Sequence, residues 1–260
     1  MIIKTAENYP INELKRLWKI TFKDTDSYIE LFFGKVFKPE NTFIIEESGL
    51  KSMAFVVEHK ISNYKCAYIC GVATEKNSRG KGYSSLIMNY IKKVLSDRKY
   101  DMAFLIPAEK SLFKFYKKFG FVNFSGITTR QLDKGDNYCN DIYATEFDYK
   151  KLNKLYTEFF KCPSVERTEN DFRNIYDCYK NVRIYENGYI FYYVEEDTLH
   201  IIEHTMHDIT PYASSIMNDT NTKKAVVTEF NPETNKPFTM VYYFNNIVFS
   251  EPVYINLLLN

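Results

Sequence analysis

Residues 66–95, CAYICGVATEKNSRGKGYSSLIMNYIKKVL, constrain the fold more than any other stretch of the chain. They read as an apolar strand, a polar turn containing glycine, and an amphipathic helix. The turn holds Arg79, Gly80, Lys81, Gly82, Tyr83 and Ser84. Glycine at Gly80 and Gly82 lets the backbone pass close to a ligand and turn several N–H groups one way. A helix beginning near Ser84 aims its positive dipole end at the same spot. With Arg79 and Lys81 adding charge, the turn suits phosphate. The alternative is a strand-to-helix turn that binds nothing.

Spacing separates the known phosphate turns. A Walker loop requires G-x-x-x-x-G-K-[ST], but Gly80-Lys81 is followed by Gly82 and no glycine lies five residues before Gly80. A dinucleotide fingerprint, G-x-G-x-x-G, fails at Ser85. The pattern that fits is R-x-x-G-x-[GA], read as Arg79, Gly82 and Ser84, with Ser in the last small-residue place. This resembles the coenzyme A loop of the GNAT acetyltransferases, and Gly71-Val72-Ala73-Thr74 is similar to the end of that family's fourth strand. A second segment, DMAFLIPAEKSLFKFYKKFGFV at 101–122, reads as a strand over Met102–Ile106 and a helix with Leu112, Phe115, Tyr116 and Phe119 on one face. Gly120 stops that helix. Tyr116, Gly120 and Phe121 match the family's Tyr-x-x-x-Gly-Phe ending.

The resemblance implies an α/β (α+β) GNAT fold, a mixed, mostly antiparallel sheet flanked by helices. It implies transfer of an acetyl group from acetyl-coenzyme A to an amine, small molecule or peptide, by direct attack in a ternary complex. The cofactor would contact Val72, Ala73 and Thr74 through the strand, Arg79, Gly80, Lys81, Gly82, Tyr83 and Ser84 through the turn, and Ser111 at the start of the next helix. Tyr116 would protonate the leaving thiolate; a core tyrosine is its bland alternative. The base stays open between water, Glu46, Glu58, a carboxylate of the second half and the terminal carboxylate of Asn260. A catalytically silent coenzyme A-binding module, or an interaction protein on the same scaffold, remains the alternative function.

Along the chain, helices are expected over Asn12–Phe22 and Asp26–Phe37, the second either bounding a substrate cleft or simply packed on the sheet. Strands are expected at Ile2–Lys4, Thr42–Glu46, Ser52–His59, Thr128–Leu132 and Ile142–Phe147. A catalytic domain over 1–147 is then complete, leaving 148–260 as a second domain. Its helices, at Asp148–Phe160, Asn170–Tyr179 and Pro211–Met217, alternate with strands at Tyr189–Val194, Leu199–His204, Ala225–Glu229 and Thr239–Phe244. DITPYASSIMN follows its hairpin where a phosphate turn would need glycines. This half resembles a degenerate GNAT repeat, as in the Eis-like tandem branch, a likeness also carried by Val165-Glu166-Arg167, Glu203 and Lys236-Pro237-Phe238-Thr239-Met240.

A formal net charge of +1 gives no global case for nucleic acid or membrane. No run approaches the roughly 20 apolar residues of a span, and MIIKTAENYP lacks a signal peptide's apolar core, so a cytoplasmic protein, with homo-oligomers left open, is expected. Cys66, Cys70, Cys139, Cys162 and Cys178 match no zinc or disulfide spacing and read as reduced cysteines. His200, Glu203, His204 and His207 lack the H-E-x-x-H arrangement, so no metal is expected.

Overall fold

The computed structural model describes residues 1–231 and 236–258, which form two compact units. The first comprises residues 1–124 and 238–248. The second comprises residues 125–237, apart from 232–235, together with 249–258.

In chain order the first unit contains β1 (Ile2–Thr5), α1 (Ile11–Phe22), α2 (Asp26–Lys35), β2 (Thr42–Glu46), β3 (Leu50–Ile61), β4 (Tyr64–Thr74), α3 (Tyr83–Asp97), β5 (Met102–Leu105), α4 (Lys110–Lys117) and β6 (Val122–Asn123). The second contains β7 (Ile127–Asp133), α5 (Tyr149–Phe159), α6 (Glu169–Tyr179), β8 (Val182–Ile184), β9 (Tyr189–Glu195), β10 (Thr198–His204), α7 (Thr210–Asp219) and β11 (Lys224–Phe230). The last strand, β12 (Met240–Tyr243), belongs to the first sheet, whose order is β1-β2-β3-β4-β5-β12-β6. The second sheet runs β7-β11-β10-β9-β8.

Three strand expectations change here. The strand expected at Thr239–Phe244 in the second half is β12, antiparallel to β5 in the first sheet. The strand expected at Thr128–Leu132 in the first domain is β7, antiparallel to β11 in the second. The compact units therefore divide at Phe124/Ser125, and the boundary expected at 147/148 falls inside the second unit. Ile142–Phe147 is not a strand; its β-pairing among the described residues is the bridge Ala144–Ile184. Strand partners are nonlocal choices, and alternating apolar residues fit either sheet equally well.

Period-two patterning makes both faces of the first sheet apolar. On one face Ala67, Ile69, Ala103, Leu105 and Met240 pack with Ile87, Met88, Ile91 and Leu95 of α3. On the other, Trp18 of α1 and Phe32 and Phe33 of α2 meet Phe55 of β3 edge to face, with ring centroids 5.2–5.7 Å apart. Thr25 caps α2 through the Tyr28 amide.

The second sheet is also covered on both faces. Tyr189 and Phe191 pack with α5 and α6, while Leu199, Ile201, Ala225 and Val227 pack with α7. Asp148 caps α5, and Thr168 with Asp171 forms a capping box on α6. No helix among the described residues is long and apolar enough to cross a membrane.

Candidate active site

β4 and β5 run parallel, and their pairing ends at Tyr68–Phe104. Beyond that pair the two strands part. The β5-facing edge of Ile69–Thr74 has no strand partner among the described residues. The cause is visible on the other side of β4. Its register with β3 shifts between Met53 and Phe55, opposite Gly71. Gly71 takes φ +57, and a Cβ there would lie 2.6 Å from Phe55 and 2.8 Å from Trp18. Only glycine fits this bulge. An isolated glycine inside an apolar strand is the signal by which sequence reasoning could have found the bulge.

A cavity of about 290 Å³ occupies the opening. Its wall includes Tyr68 to Val72 of β4, Ile106 and Ala108 past β5, Leu112 and Tyr116 of α4, and Trp18 and Asp24 from α1 and its following loop. Tyr116 is 7% exposed, and burial pushes its hydroxyl up to about 12. Burial also pushes the Cys70 thiol well up, so it is no nucleophile at neutral pH.

A second cavity lies along the same strand and helix, lined by Thr74, Arg79, Gly80, Gly82, Tyr83, Ser84 and Phe115. Gly80 and Gly82 have φ +77 and +81, and nothing lies within 4 Å of a Cβ at either. The glycines are required by backbone conformation and leave open space above the turn. Gly82 is the N-cap of α3, and no side chain caps that helix. The Tyr83 and Ser84 amides of its first turn are thus available to an anion, while the Ser85 amide donates to the Gly82 carbonyl at 3.0 Å. The turn is braced by Arg79 Nε, which donates to the Thr74 carbonyl at 3.2 Å. A hydroxyl chain ties it to the sheet: buried Ser52 donates to the Ala73 carbonyl at 2.7 Å and lies 3.0 Å from Thr74 Oγ1, which is 2.9 Å from Ser84 Oγ. Tyr83 donates to Glu47.

Of the expected site residues, Thr74, Arg79, Gly80, Gly82, Tyr83 and Ser84 line the turn cavity, and Val72 and Tyr116 line the cavity in the splay. Ala73 is buried between them, and Lys81 is exposed on the turn. Ser111 is exposed, donates to Glu109 and lines neither cavity. Neither Glu46, paired with Lys4 at 2.6 Å, nor Glu58, accepting from Tyr100 at 2.7 Å, lines either cavity. Asn260 lies outside the described residues. The carboxylate that does line the splay cavity is Asp24, which accepts a 2.7 Å bond from Trp18 Nε1. Sequence offered no signal for it, because in Lys23-Asp24-Thr25-Asp26 it reads as loop chemistry before a helix cap.

A parallel strand pair splayed by a bulge, with a glycine turn feeding an uncapped helix, is architecture for an extended, phosphate-bearing cofactor. Residues 3–123, most of the first unit, match the family model described as an acetyltransferase (GNAT) domain. Solved structures share the two-unit fold at low identity. A conserved protein of unknown function and probable N-acyltransferase from Enterococcus faecalis V583 is 14% identical, with TM-score 0.75 over 94% of this chain and 72% of that one. Eis1 from Mycobacterium abscessus is 9% identical, with TM-score 0.66 over 94% and 74%. A tandem GNAT protein from the clavulanic acid biosynthesis pathway is 8% identical, with TM-score 0.59 over 95% and 99%. At these identities the likeness is one of fold. No curated protein matches the sequence.

Proposed function

We propose that the first unit is an N-acetyltransferase that moves the acetyl group of acetyl-coenzyme A to an amine by direct attack within a ternary complex. One observation carries this reading: the open turn above α3 and the cavity holding Tyr116 adjoin the same strand end, β4, and the same helix, α4. The pyrophosphate would sit on the amides at Gly80 to Ser84, with Lys81 adding charge. The pantetheine arm would pair with the unpartnered edge at Val72 to Thr74, and Ser111, in the first turn of α4, would be a further contact. Arg79 would act chiefly by holding the turn to Thr74.

The amine lone pair attacks the thioester carbonyl, and the tetrahedral intermediate collapses with cleavage of the C–S bond. A hydroxyl pushed up to about 12 stays protonated throughout the neutral range. Tyr116 therefore gives its proton only as the thiolate develops, and regains one from the nitrogen of the intermediate. Asp24, fixed by Trp18, supplies the negative charge that attracts a cationic amine and can take up its proton, directly or through water.

Thiol release from acetyl-coenzyme A across a panel of amines tests the reading. Turnover with at least one amine is expected. Asp24→Asn should cost more kcat/KM for diamines than for neutral-chain amines. Tight coenzyme A binding with no turnover on any amine would replace this reading with a binding module.

A further inference from the structure

The second unit repeats the splay. β10 and β11 are parallel and pair only from Thr198–Lys224 to Ile201–Val227. Past the last pair, at the carboxyl ends of both strands, lies a cavity of about 420 Å³. Ligands of open α/β sheets bind at such ends. This site cannot copy the cofactor site of the first unit. Helix α7 opens without glycine, and Asp208 accepts the Thr210 amide at 3.0 Å, so a carboxylate already occupies the helix start and would repel pyrophosphate.

The lining defines a different ligand. Phe159, Phe230 and Tyr254 supply ring surface, with Phe159 5.5 Å from the His207 ring and Phe230 5.3 Å from Tyr254. His204 Nδ1 accepts the Met206 amide at 3.3 Å. Burial keeps the ring neutral, so its proton is on Nε2 and that atom is a donor. The carboxylate of Glu229 is taken by Arg130, at 2.8 and 3.2 Å. Lys161 forms no salt bridge among the described residues and adds positive charge to the wall.

We propose that this pocket binds a small aromatic carboxylate, its ring among Phe159, Phe230 and Tyr254 and its carboxylate on His204 Nε2–H and the Lys161 ammonium. The proposal stands apart from the acetyltransferase reading of the first unit and survives if that reading fails.

Calorimetry on the full chain with indole-3-acetate and benzoate as probes tests it. Saturable binding of at least one probe, one per chain, is expected. Lys161→Ala, at an exposed position, should weaken it at least about tenfold, as loss of a charge-assisted hydrogen bond does. His204→Gln should weaken it similarly, and indole-3-acetamide should bind at least about tenfold more weakly than the acid. Coenzyme A should not displace the probe. The proposal is overturned if neither probe binds saturably, if Lys161→Ala binds as well as the parent, if the amide equals the acid, or if coenzyme A competes.

Discussion

The two sheets solve one problem in opposite ways. Each has a parallel pair that separates after a few residues, and each has an irregularity on the neighbouring antiparallel pair, opposite Gly71 in the first and between Ile201 and Glu203 in the second. In the first, the opened edge of β4 has no strand partner among the described residues and leads to a helix that no side chain caps. In the second, the chain satisfies part of the freed backbone edge itself. The Asn256 side-chain amide donates to the Ile202 carbonyl at 2.9 Å, and Tyr254 stacks on Phe160 with centroids 3.7 Å apart. Behind them Glu203 is fully buried. It accepts from Arg167 at 2.6 and 2.8 Å and from the hydroxyls of Tyr189 and Tyr254, both at 2.6 Å. The lesson is that a splay alone is not a cofactor site. What decides is whether the freed backbone groups are left for a ligand or satisfied from within.

The sharpest way to break this comparison is stoichiometry. Calorimetry should find one coenzyme A per chain, and Gly82→Glu should abolish it, because a side chain and a like charge enter the pyrophosphate space. Two molecules per chain would mean that the second splay also works as a cofactor site. Next in size is Glu203→Gln, which leaves Arg167 buried without its counter-charge and should cost about 3–5 kcal/mol in urea unfolding. The double change Arg167→Met with Glu203→Leu should cost less, since it removes both charges together.

The same carboxylate sets an acid limit. Burial alone would raise its pKa, but the Arg167 guanidinium and the tyrosine hydroxyls hold it below the usual range. Its contribution is complete above the ordinary glutamate value of about 4.3 and is lost as pH falls through the lower folded-state value. Unfolding followed from pH 6 to 2 should show this loss in the parent and not in Glu203→Gln.

Tyr116→Phe should lower turnover by roughly 10²-fold and leave coenzyme A affinity nearly unchanged. An unaltered rate would make Tyr116 a packing residue of α4. The smallest effect is expected from Ser52→Ala. Losing the bond to the Ala73 carbonyl should cost about 1 kcal/mol and raise the KM for acetyl-coenzyme A a few-fold, with kcat steady.

How much was legible depended on the range of the physics. The turn at Arg79 to Ser84, the helices α3 to α7 and the hairpin β9–β10 are written in local periodicity, caps and glycines, and they appear within a few residues of expectation. Arg167 and Glu203 were visible only as a likeness of motif; their meeting 36 positions apart in a buried pair was not. Asp24, Ser52 and Asn256 carry no local mark at all, since an Asp before a cap, a Ser in a strand and an Asn near a terminus are ordinary loop and edge chemistry.

The sequence by itself determined that this chain would build a strand, a glycine turn and a helix, with a tyrosine helix following, because dihedral preference and amphipathic period act over a few residues. Only the tertiary structure decided which sheet received β7 and which received β12, which carboxylate reached the cavity, and in which of the two splays a freed backbone group was satisfied from within. Those outcomes rest on contacts between residues far apart in the chain, where register, burial and hydrogen-bond satisfaction are settled together.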